Sequence, residues 1–137
     1  MSNESENNNT LVLMRVAALS ATAHQNQNRK SGGNYVRHPL AVAALIEQQW
    51  LTTENMSVAI CHDILEDVPD MLEEAAREMA LTFGGAFDEV RSNWSADPNQ
   101  QLKLLLAACK SPTNLEEGLE FGETVTNGVL ELTVDWP

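Results

Sequence analysis

Four side chains capable of metal or proton chemistry fall within the six residues His62-Asp63-Ile64-Leu65-Glu66-Asp67. On a helix, positions four apart share a face, so Glu66 would lie over His62 and Asp67 over Asp63, with Ile60, Ile64 and Leu65 as apolar anchorage. Bringing three carboxylates together costs mutual repulsion, which a bound divalent cation would relieve. The same six residues would also make a solvated acidic helix end, and taken alone they leave both readings open.

A second group of residues points to anion binding. The chain carries a net charge of −12 with a pI near 4.4, so as a whole it would repel a nucleic-acid backbone or an anionic membrane. Between Glu6 and Glu47, however, there is no acidic residue, and Arg15, Arg29, Lys30 and Arg37, half of the eight basic residues, fall there. The polar stretch 25–34 contains Arg29-Lys30-Ser31 followed by Gly32-Gly33, a composition that predicts a loop able to wrap an anion. His38 precedes Pro39, which suits the first turn of a helix, so His38 would sit at a helix N-terminus as a cap, a packed side chain or a ligand.

The elements that must position these residues read as helices. Residues 1–10, rich in Asn and without a large apolar side chain after Met1, predict a mobile tail. Residues 11–24 read as a largely buried helix, and a second helix restarts near Tyr35 and runs through Ala41, Val42 and Leu45 toward Gln49. Thr52 or Thr53 would cap a third, continuing unbroken through His62-Asp63 to Val68-Pro69. Further helices are predicted from Asp70 to Leu81, from Phe87 to Trp94 after the Gly84-Gly85 break, from Asp97-Pro98 to Ser111-Pro112, and from Thr113 or Asn114 to the end. Val129–Val134 is short and ambiguous between helix and strand.

An all-α bundle of one domain is the fold class this predicts, since 137 residues suffice for one core and not two. No apolar run approaches the roughly 18 residues needed to span a bilayer, and no charged-then-apolar leader opens the sequence, so the expectation is a soluble, cytoplasmic protein. Cys61 and Cys109 sit in apolar helical contexts, which predicts buried reduced thiols.

Three blocks resemble a known family: Ala23-His24-Gln25-Asn26-Gln27-Asn28-Arg29-Lys30, then Tyr35-Val36-Arg37-His38-Pro39-Leu40-Ala41-Val42-Ala43, then Cys61-His62-Asp63-Ile64-Leu65-Glu66-Asp67. In order and spacing they are similar to the HD-domain hydrolases of the RelA/SpoT group, in particular the small stand-alone enzymes of the metazoan SpoT-homolog type. The resemblance implies an all-helical HD-domain bundle over residues 11–137 that holds a divalent metal, most often Mn2+, and removes the 3′-pyrophosphate of ppGpp or pppGpp. It further implies that His38, His62 and Asp63 are metal ligands and that Glu66 and Asp67 assist hydrolysis. Arg29 and Lys30 would lie beside the nucleotide, with Ser31 and Tyr35 as further candidates near it.

The resemblance also departs from the family pattern. Leu115-Glu116-Glu117, Phe121-Gly122, Val125, Val129, Glu131, Thr133 and Asp135 fit a family motif that usually follows the Glu-Asp pair closely, which predicts that about 69–112 is a helical insertion. A competing alignment uses Phe83-Gly84 but continues poorly. The family's fourth ligand, an aspartate in a later Leu-Ala-Asp-x-x-x-Asn type motif, has no counterpart in suitable surroundings at Asp88, Asp97 or Asp135. The bundle is therefore expected to be truncated at the C-terminus. Either three protein ligands hold the metal with extra water, or a second copy or complementing chain completes the site, or the domain is a catalytically impaired interaction module. Phe87, Trp94 and the leucines of 102–106 would then cover the gap left by the absent helices or form a dimer face.

Overall fold

A computed structural model describes the backbone of residues 2–28 and 32–135, and the side chains of 8–28 and 32–132. Its element order is α1 (Ser2–Ala23), α2 (Arg37–Ala44), a 3-10 turn (Gln48–Trp50), α3 (Thr53–Cys61), α4 (Ile64–Asp67), a second 3-10 turn (Pro69–Met71), α5 (Leu72–Phe83), α6 (Ala86–Ser92), α7 (Pro98–Lys110) and α8 (Leu115–Asp135). Among the described residues there is no strand, only an isolated bridge between Asn28 and Asn34 at the neck of the polar loop. The architecture is thus an all-α bundle, and Val129–Val134 is helix.

α1 supplies the central wall. Val12, Val16, Leu19 and Ala23 recur at helical spacing and are buried, and the polar Ser20 and His24 lie buried on the same side. α3, α5 and α7 pack on α1, while α7 and α8 share the most extensive helix–helix interface. Helix starts follow local chemistry. Thr52 Oγ1 accepts from the Asn55 N–H at 3.0 Å to cap α3, and Asp97 Oδ1 accepts from the Asn99 N–H at 3.1 Å ahead of Pro98 to cap α7. α5 ends at Gly84-Gly85, both at positive φ (62° and 55°), and a Cβ on Gly85 would overlap the Pro112 carbonyl oxygen. The two helices can turn so sharply only because that residue has no side chain.

α1 begins at Ser2, and residues 2–10 contain no Gly or Pro to stop a helix propagating outward from the anchored segment beyond Leu11. Expected helix bounds differ from the structure at two places. α2 stops at Ala44, short of Gln49; the Leu45 and Ile46 N–H groups turn back onto Val42 O and Ala43 O, and Glu47 is extended. No breaker residue marks that stop.

The expected unbroken helix from Thr52 or Thr53 to Val68 is interrupted at His62-Asp63. There the His62 Nδ1–H donates to Ala59 O at 2.6 Å and the Ser20 hydroxyl donates to Ile60 O at 3.0 Å. Side chains thus satisfy two carbonyls that a continuing helix would have bonded through its backbone. Of the residues expected to cover a gap or form a dimer face, Phe87, Leu102, Leu105 and Leu106 are buried within the chain's own core, and Trp94 and Leu104 are partly buried against it. The segment 69–112 forms the second 3-10 turn, α5, α6 and α7, and contributes a large part of that core.

Candidate metal centre

Two short segments converge on the site. Tyr35 opens the turn into α2: its N–H donates to Gln27 O at 3.0 Å, and its own carbonyl accepts from the His38 N–H at 3.0 Å. His38 is therefore held in the first turn of α2. The other segment is the break between α3 and α4, where the interruption presents His62 and Asp63 side by side. His62 Nδ1 carries the proton given to Ala59 O, which leaves Nε2 as the ring's lone-pair atom.

His38, His62 and Asp63 each offer a ligand atom within 4.8 Å of the others. His38 Nε2 lies 3.4 Å and His62 Nε2 3.2 Å from Asp63 Oδ2. Donor atoms about 2.1 Å from a common ion in tetrahedral arrangement stand roughly 3.4 Å apart, so the donor set fits a first-row divalent cation. The His38 side chain is 36% exposed, against 2% for His62 and 11% for Asp63, so the approach to the centre is from the His38 side. Two imidazoles and a carboxylate suit Mn2+, Fe2+ or Zn2+, and three protein donors leave positions for water and substrate.

Around these three the structure adds partners. The Tyr35 hydroxyl donates to Asp63 Oδ2 at 2.9 Å. Its phenol is pushed well above the ordinary tyrosine range, first by burial and then by the hydrogen bond to the Asp63 carboxylate, with Asp67 adding to the effect, so the hydroxyl keeps its proton. The rings of His24, Tyr35, His38 and His62 form a file with successive centroids 5.0, 5.6 and 5.6 Å apart. His24 is fully buried, its Nδ1 is 2.7 Å from Gln27 Oε1, and burial lowers its pKa despite the opposing pull of Gln27, Asp63 and Asp67.

The residues singled out in the sequence are therefore partly assembled. His38, His62, Asp63 and Tyr35 come together; Glu66 and Asp67 are both exposed on α4, outside the ligand cluster, with Asp67 near enough to influence Tyr35. Arg29, Lys30 and Ser31 lie outside the described residues. His24 belongs to the motif but had no assigned role, and its signal was available: with Ser20 it is a polar residue one helical turn along a stripe that is otherwise apolar.

What fold and site define is an all-α bundle with a His-His-Asp centre suited to a divalent cation. The chain is 38% identical over 72 residues to a guanosine-3′,5′-bis(diphosphate) 3′-pyrophosphohydrolase of Haemophilus influenzae, a match covering 53% of this chain and 11% of that protein. It is 37% identical over 78 residues to the bifunctional (p)ppGpp synthase/hydrolase SpoT of Escherichia coli, covering 57% and 10%. A GTP pyrophosphokinase of Streptomyces coelicolor is 30% identical over 95 residues, covering 65% and 11%. The chain thus matches about a tenth of the length of these curated relatives. No family model matches it, and no solved structure does.

Proposed function

We propose that this chain is an HD-type, metal-dependent hydrolase of the RelA/SpoT group that removes the 3′-pyrophosphate of ppGpp or pppGpp. The observation that carries this reading is the convergence of His38, His62 and Asp63 from two separate segments at ligand spacing. The names of two of these relatives, a guanosine-3′,5′-bis(diphosphate) 3′-pyrophosphohydrolase and a (p)ppGpp synthase/hydrolase, support the choice of substrate.

His38 Nε2, His62 Nε2 and the Asp63 carboxylate would hold the ion, with Mn2+ as first choice. A divalent cation there supplies Lewis-acid activation of water near neutral pH. In the reaction, the water oxygen bonds to the phosphorus attached to the 3′ oxygen, the bond between that phosphorus and the 3′ oxygen breaks, and pyrophosphate leaves as the 3′ hydroxyl forms. Asp67 or Glu66, one turn beyond Asp63 and His62, would take the water's proton. Arg29 and Lys30 would offset charge on the phosphates, with Ser31 as a further candidate near the nucleotide.

The test is incubation of the purified protein with ppGpp and Mn2+, beside His62→Ala and Asp63→Asn variants and a chelated control. Pyrophosphate release by the wild type and its loss in the other three is expected. A wild-type protein that binds Mn2+ and releases no pyrophosphate would overturn the assignment.

A further inference from the structure

We infer that Tyr35 is a positioning residue for Asp63, fixing the ligating carboxylate before the ion arrives, and that it is not a contact to the nucleotide's phosphates. The inference rests on the metal reading of His38, His62 and Asp63 and deepens it.

A tyrosine hydroxyl has one proton to donate, and here it is given to Asp63 Oδ2 at 2.9 Å. Ionised phosphate oxygens only accept, so a hydroxyl whose single proton is committed to a carboxylate has nothing to give them. A phosphate contact would require Tyr35 to abandon Asp63.

The rest of the residue is built to keep the hydroxyl there. Its ring packs between those of His24 and His38, at 5.0 and 5.6 Å. Its backbone is tied on both sides, to Gln27 O through its N–H and to the His38 N–H through its carbonyl. His24, the wall on one side, is itself held by Gln27 Oε1 at 2.7 Å.

The consequence concerns geometry between the two segments. Tyr35 belongs to the segment that carries His38, and its hydroxyl reaches the segment that carries His62 and Asp63. The hydrogen bond therefore sets both the rotamer of the carboxylate and the spacing between ligands that come from different parts of the chain. Ligating carboxylates elsewhere are held by such outer partners, and losing one typically weakens metal binding by about 10–100-fold.

The experiment is a titration of chelator-stripped protein with Mn2+, followed by calorimetry and by the free-ion EPR signal, for wild type and Tyr35→Phe. The phenylalanine keeps the ring packing and removes only the hydroxyl, and a thermal scan of the metal-free forms checks that both are folded. A Tyr35→Phe protein that binds Mn2+ about 10–100-fold more weakly, yet at saturating Mn2+ shows an unchanged KM for ppGpp, is the expected result. Unchanged Mn2+ affinity with a raised KM would overturn the inference and return Tyr35 to the nucleotide, leaving the metal reading intact. A wild type that binds no Mn2+ would remove the metal reading and the inference with it.

Discussion

Replacing Gly118 by alanine tests the packing that supports the site. Gly118 and Gly122 lie one turn apart on α8, against the backbone of α7. A Cβ on Gly118 would stand 2.9 Å from Ala107 Cα and overlap the Ala107 carbonyl oxygen. Backbone cannot swing aside as a side chain can, so α8 would have to retreat by on the order of 1 Å, and a gap of about 0.5–1 Å forfeits a quarter to a half of the dispersion well for atoms facing it. α7 and α8 both bury large side chains, Leu102, Leu105 and Leu106 on one and Phe121 and Val125 on the other, so a retreat of α8 loosens core packing.

Overpacking of this kind costs about 1–3 kcal/mol, and the backbone origin of the clash places Gly118 at the upper end. Alanine's better helix propensity returns about 1 kcal/mol, which leaves a net loss of about 2 kcal/mol. With a urea m-value of about 1–3 kcal/mol/M, the unfolding midpoint should fall by roughly 1 M. Gly128→Ala is the internal comparison: it sits on the same helix with the same propensity gain, but its Cβ would meet the tip of a side chain, Val58 Cγ2 at 2.6 Å, and should cost less. A Gly118→Ala midpoint equal to or above that of the wild type would refute the reasoning. Because α8 also packs on α3, which ends at His62, the same retreat would reach the His38-His62-Asp63 cluster.

Two further outcomes follow from buried titratable groups. Burial lowers the pKa of His24 below its ordinary 6.5, so the fold holds it neutral while the unfolded chain takes up a proton; its contribution is fully present above about pH 6.5 and is lost as pH falls through the folded value, by up to about 1.4 kcal/mol per pH unit. Urea midpoints of metal-free protein between pH 7.5 and 5 should therefore fall more steeply for wild type than for His24→Gln, and equal slopes would count against this. Burial also pushes the Cys109 thiol up to about 12 and the Cys61 thiol well above its usual range, so both should ignore an aromatic disulfide reagent at pH 8 and both should react in urea. Prompt reaction of either thiol in the native protein would contradict their placement.

Much of this was legible in the sequence because the signals were local. Thr52, Asp97-Pro98 and Gly84-Gly85 mark helix ends by their own backbone chemistry, and the structure puts helix ends there. His38, His62 and Asp63 were legible as a set only through the resemblance of their three sequence blocks to the RelA/SpoT hydrolases, and the structure brings the three side chains together. The interruption at His62-Asp63 was not legible, because its causes are Ser20 on another helix and a side chain returning to its own carbonyl. Neither was the end of α2 at Ala44, where no breaker stands, nor the hydroxyl of Tyr35 on Asp63, which depends on two segments meeting. Propensity sees neighbours in the chain, while these features arise from neighbours in space.

Anomalous scattering from crystals grown with Mn2+ tests the central claim most directly, because it locates the ion without reference to turnover. The expected result is a single strong peak within coordination distance of His38 Nε2, His62 Nε2 and the Asp63 carboxylate. A peak at another cluster, or none at these three side chains in protein saturated with Mn2+, would contradict it.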